Sequence, residues 1–195
     1  MNSEQGRVPG LAGNWPADTA TVVDETRRWL ERAVIGLNLC PFAKAVHVKD
    51  QLRYVVSTAT EPGQLQADLE RELRLLAESD PAQVEMTLLM HPQVLQDFID
   101  YNDFLDVADA TVEQLDLGGI LQIASFHPQY QFAGTEPDDI DNFTNRSPYP
   151  TLHLLRESSI DQAVAAFPEA SEIYERNIET LRRLGRPGWA KLFKG

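Results

Sequence analysis

Residues 84–92 read VEMTLLMHP, and residues 120–128 read ILQIASFHP. Each is a short apolar run that ends on His-Pro. Runs of this length between chain breakers fit strands covered on both faces, as in a parallel sheet flanked by helices. Between them, residues 92–115 carry a helical period and stop before Gly118 and Gly119. Upstream, residues 52–57 read as a strand. A helix follows to about residue 78, capped by Thr60, with Pro62 in its first turn and a stripe of Leu65, Leu69, Leu73 and Leu76. The order strand, helix, strand, helix, strand implies parallel strands joined by right-handed crossovers.

Further out, residues 19–39 form an amphipathic helix that Cys40-Pro41 ends, because a proline disfavours helix in the residue before it. Residues 151–155 read as a fourth strand. Ser158 and Asp161 resemble a capping box for a helix to residue 167, and residues 169–184 form a last helix closed by Gly185. The expected architecture is α/β (or α+β): about four strands in a mostly parallel sheet with helices packed on it. A ferredoxin-like plait is the alternative. Residues 1–17, rich in Gly, Pro and small polar side chains, read as a flexible tail. Residues 18–187 form one domain, and residues 188–195 a short C-terminal tail.

With 43% hydrophobic residues in 195, the chain can bury a real core. No apolar run approaches the ~18 residues of a membrane span. The single cysteine excludes an internal disulfide. With no secretory pattern at the N-terminus, a cytoplasmic location is expected. A net charge of −13 without a basic stripe repels phosphate, so nucleic acid and anionic membrane are not expected partners. A small-molecule ligand is the partner to look for. Nothing in the sequence fixes an oligomeric state or names a cofactor.

The candidate site is residues 127–150, HPQYQFAGTEPDDIDNFTNRSPYP. Structureless runs this long inside a domain are usually functional or disordered, and the four aromatics here argue for order. In an open parallel sheet, ligands bind beyond the carboxyl ends of the strands. That places His127 as a general acid or base, with His91 and Cys40 as possible partners in acid–base or nucleophilic work. For Cys40 the plain reading is a small buried residue at a helix end. Arg146 would anchor an anion through its guanidinium fork, with Asn145, Ser147 and Tyr149 beside it. Asn102, Asp106 and Asp109 border one stripe of the third helix and would form a half-buried polar row supporting that cluster. His153 alternates onto one face of the fourth strand and reads as a satisfied sheet histidine. No His or Cys pair has metal-ligand spacing, so no metal is expected.

Four blocks, GLNLCPFAK (36–44), YNDFLDVAD (101–109), QIASFHPQYQFAG (122–134) and NRSPYPTLHLLRE (145–157), resemble the domain-of-unknown-function family numbered 1415. The resemblance covers about residues 20–190. It implies no activity, but it sets Cys40, His127, Asn145, Arg146 and His153 inside the family's signature blocks. Two functions remain open. One is a cytoplasmic enzyme acting on a small anionic metabolite, by hydrolysis or group transfer, at a site built by residues 127–150. The other is a non-catalytic ligand-binding or protein-interaction module.

Overall fold

The computed structural model describes residues 18–166 and 172–194, so the expected N-terminal tail lies outside the described residues. The chain runs through α1 (Thr19–Trp29), a π-helical segment (Leu30–Ile35), α2 (Ala43–Val48), β1 (Leu52–Val56), α3 (Pro62–Glu78), β2 (Met86–Met90) and α4 (Phe98–Gln114). It continues through β3 (Leu121–Phe126), a 3-10 turn (Ile140–Thr144), β4 (Thr151–Arg156), α5 (Glu157–Ala166) and α6 (Ile173–Leu192). No helix among the described residues is long and apolar enough to cross a membrane.

The class is α/β, but the sheet is not mostly parallel. Its order is β1-β2-β4-β3. Only β1 and β2 pair in parallel; β4 pairs antiparallel with both β2 and β3. The reason lies in the long loop. Residues 127–150 carry no crossover helix that would return the chain to the opposite edge. The fourth strand therefore enters where β3 ends and runs back, as antiparallel neighbours do. The element order is also not the β-α-β-β-α-β of a ferredoxin-like plait. β1, β2 and β3 still point the same way, so the segments following β2 and β3 emerge on one edge of the sheet.

Alternation along the strands divides two cores. Leu89, Leu121, Leu152 and Leu154 face α3 and α4, where they meet Leu65, Leu69, Leu73 and Leu76 of α3. Glu72 is buried on the same helix and is satisfied by Arg53 of β1, whose Nε donates to its carboxylate at 2.8 Å. The other sheet face is covered by α1 and the π segment. Trp29, Leu30, Ala33 and Val34 pack there with Leu181 and Trp189 of α6. Gly185 does take a left-handed φ of 63°, but the chain resumes its helix at once. The expected tail is thus helical to Leu192, and Trp189 packs edge-on against Phe143 at 5.2 Å.

The first helix widens after Trp29 and stops at Ile35, short of the expected residue 39, and Asn38 takes a left-handed φ of 55° before Cys40-Pro41 is reached. Gly36 N–H bonds to the Glu31 carbonyl, and Leu39 N–H to that of Val34, both five residues back. Such π turns are rare and frequently mark functional sites. A Cβ at Gly36 would lie 2.3 Å from the Arg32 carbonyl oxygen. Gly36→Ala should therefore destabilise by about 1–3 kcal/mol, as overpacking does, although glycine-to-alanine changes in ordinary helices stabilise. Urea unfolding of the variant checks the sign.

Candidate functional site

Residues 127–150 fold into an ordered, self-bonded loop. Asn142 is fully buried at its centre. Its Oδ1 accepts from the Phe132 N–H (3.0 Å) and the Thr135 hydroxyl (2.7 Å), and its Nδ2 donates to the Glu136 carbonyl (2.8 Å). Arg146 is 7% exposed and stacks over the Phe143 ring at 4.6 Å. Its Nε donates to the Tyr130 carbonyl at 3.1 Å, and a terminal nitrogen to the Pro137 carbonyl at 2.6 Å. Burial, helped by nearby Arg186, pushes its pKa down to about 10, so it is still a cation at neutral pH. Asn145 donates to the Ser125 carbonyl, and its own carbonyl accepts the His127 N–H. The Ser147 hydroxyl donates to the Tyr149 carbonyl at 2.6 Å, and the Tyr149 hydroxyl donates to Glu25 of α1.

His127 and His91 sit at the shared strand edge, both fully buried. His127 Nδ1 accepts the Gln129 N–H at 3.0 Å. Its Nε2 therefore carries the proton, which it donates to the Leu95 carbonyl at 3.2 Å. Leu95 itself sits in a left-handed conformation, φ 55°. His91 Nδ1 donates to the Val94 carbonyl at 3.0 Å, which leaves its Nε2 buried without a partner among the described residues. Burial holds both imidazoles neutral, with pKa values pushed down to about 4.

Tyr101 ties this edge together. Its ring lies 5.7 Å from His91 and 5.0 Å from His127. Its hydroxyl donates to the Thr151 carbonyl (2.9 Å) and accepts the Phe126 N–H (3.2 Å), clamping the end of β3 to the start of β4. In the sequence Tyr101 is masked by the aspartate-rich stretch of α4 in which it lies. The expected polar row on that helix is displaced too. Asn102, Asp106 and Asp109 are all exposed, because the buried stripe is Tyr101, Phe104, Ala108, Thr111 and Val112. They do not buttress Arg146 or Asn145.

Cys40 is on the opposite face of the sheet from His91 and His127. Those histidines meet Phe98 and Tyr101 of α4, whereas Cys40 packs with the cluster of Trp29 and Val34. Burial pushes the Cys40 thiol pKa up, away from thiolate. A cavity of about 530 Å³ lies on this second face. Its floor includes one row across the sheet, Leu88 of β2, His153 of β4 and Ala124 of β3, which are in register. Phe126 and Leu155 extend that floor. Trp29, Leu30 and Val34 form one wall, and Cys40, Phe42 and Val46 continue it. Ala124 and Ala43 leave the space that larger side chains would fill.

His153 is the basic ring in this surface. Its Nε2 lies 3.1 Å from the Met86 sulfur, and its ring packs 6.0 Å from Phe126. Burial pushes its pKa down to about 4, so it is neutral at pH 7. The alternation of TLHLLRE carried the signal that His153 shares a face with Thr151 and Leu155. The facing alanines, far away in sequence, did not reveal that the face is hollow. Among the described residues no group of three or more His, Cys, Asp or Glu side chains is placed to hold a metal ion.

Fold and cavity together define a class: an α/β protein whose sheet carries a locked loop at one edge and an apolar chamber on one face. Comparisons with curated proteins and with solved structures return no match. The family model described as "Protein of unknown function (DUF1415)" matches residues 21–191, and the chain belongs to that family.

Proposed function

We propose that the protein is a ligand-binding module that holds a small, largely apolar organic molecule in the chamber between the sheet and the first helical layer. The observation that carries this reading is the chamber itself. Its size falls in the range of small-molecule sites, and its lining is mainly aliphatic and aromatic with a few polar groups. Burial of apolar surface, at about 25 cal/mol per Å², supplies the affinity. Residues 127–150 take a different part. Both ring nitrogens of His127, and the Nε and one terminal nitrogen of Arg146, bond backbone groups of this edge, which supports a role in holding the loop rather than in acting on an anionic metabolite.

The test is titration with N-phenyl-1-naphthylamine, a neutral apolar dye that brightens out of water. The wild type should bind it saturably. Ala124→Leu, which fills the chamber from its floor, should weaken binding at least tenfold while the fold is kept. Dye binding that never saturates, or that Ala124→Leu leaves unchanged, rules the chamber out.

A further inference from the structure

The chamber also carries information about the head group of its ligand. Met86 sulfur can only accept a hydrogen bond. The 3.1 Å approach of His153 Nε2 to it therefore places the ring proton on Nε2 and leaves a lone pair on Nδ1. No hydrogen bond to that Nδ1 is found among the described residues, and His153 is one of the residues that line the cavity. Its neighbours across the sheet in the same row, Leu88 and Ala124, offer no polar atom. Arg156 is the one cation among the described lining residues, but strand alternation sends its side chain to the other sheet face, with Leu152 and Leu154. There a terminal nitrogen donates to the carbonyls of Leu76 and Ser79 at the end of α3 and of Val84 just before β2. Glu85 is the acidic residue in the lining. Besides the Ser159 hydroxyl and the Cys40 thiol, the surface thus offers an acceptor and a carboxyl side chain, but no cation on this face to meet an anionic head.

We infer that the ligand is an uncharged molecule with an apolar, ring-sized body and a single O–H or N–H donor, of the alkylphenol kind, whose donor bonds to His153 Nδ1. This rests on the chamber being a ligand site. A bare hydrocarbon would fill the space but leave Nδ1 unbonded. A carboxylate would bring a second acceptor toward a lone pair and find no counter-charge.

Three probes of nearly one shape separate the possibilities: 4-propylphenol, propylbenzene and 4-propylanisole, titrated calorimetrically into the intact protein. In an apolar chamber without an acceptor, propylbenzene binds best, because a hydroxyl must then be desolvated for nothing. With His153 accepting, 4-propylphenol should bind about tenfold tighter than either of the others, the equivalent of one well-placed hydrogen bond. His153→Leu should erase that preference while retaining all three ligands. Equal binding of phenol and hydrocarbon by the wild type overturns the inference and leaves the apolar chamber standing. A phenol preference that survives in His153→Leu overturns it as well. Failure of all three probes, together with failure of the dye, removes the chamber reading and this inference with it.

Discussion

Acidification from pH 7 to 4.5 should destabilise the fold by several kcal/mol, well before carboxylate titration is complete. His91, His127 and His153 are held neutral by burial, each with a pKa near 4 against 6.5 for the free side chain. The folded state refuses protons that the unfolded chain accepts. Their contribution is therefore complete above pH 6.5 and is lost as pH falls toward 4. Each histidine accounts for on the order of 2 kcal/mol at pH 4.5, with a limiting slope of about 1.4 kcal/mol per pH unit. Total stability is typically about 5–15 kcal/mol, so three such groups together remove an amount comparable with the lower end of that range. The net charge of −13 works the other way, since its repulsion relaxes as carboxylates protonate. That relief belongs mainly below about pH 5. Urea unfolding at pH 7.5, 6.5, 5.5 and 4.5 separates the two windows. A stability that stays flat between pH 6.5 and 5 would show that the three rings are protonated in the fold.

Arg146→Ala should cost about 3–5 kcal/mol. The substitution strips the Tyr130 and Pro137 carbonyls of a charged donor, and bonds to charged groups contribute about 1.5–3 kcal/mol each. It also removes the guanidinium from the Phe143 ring. The loss would be local first. Residues 127–150 should become the earliest site of limited proteolysis, while α3 and α4 remain protected. Arg146→Lys should recover little, because a point ammonium lacks the fork that spans two carbonyls. Wild-type stability in the lysine variant would refute this account of the loop.

The parts of the fold that were legible in the sequence are those where local pattern and tertiary burial agree. Leu65, Leu69, Leu73 and Leu76 recur at helical spacing and are fully buried. Residues 86–90 form a strand buried along most of its length, as its apolar run suggests, whereas residues 121–126 form an edge strand of which only Leu121 is fully buried. The direction of β4 was not legible, because the edge at which a strand enters depends on a loop whose path carries no period. The phase of α4 was misplaced for a related reason. The stripe that Asn102, Asp106 and Asp109 were expected to border includes Phe98 and Leu105, which are only partly buried, whereas the true stripe begins at Tyr101, an amphipathic side chain whose hydroxyl meets two backbone groups. Arg146 was recognised as important from its surroundings. A guanidinium fork serves carbonyls of its own loop as readily as a ligand, and only the fold distinguishes the two. The chamber was invisible because its floor joins residues 88, 124 and 153, three segments that no local pattern relates.

The insertion of β4 between β2 and β3 has a consequence for how this chain can fold during synthesis. Among the described residues β3 pairs with β4 and with no other strand. When residues 121–126 leave the ribosome, their ladder of backbone groups has no neighbour. The β1-β2 pair with α3 can form early, but its open edge is the one β4 must take. Completion of the sheet waits for residues 151–156, some 25 positions later in the sequence. In that interval β2 and β3 are two unpaired apolar strands on one nascent chain, the species most open to mispairing or capture by a chaperone.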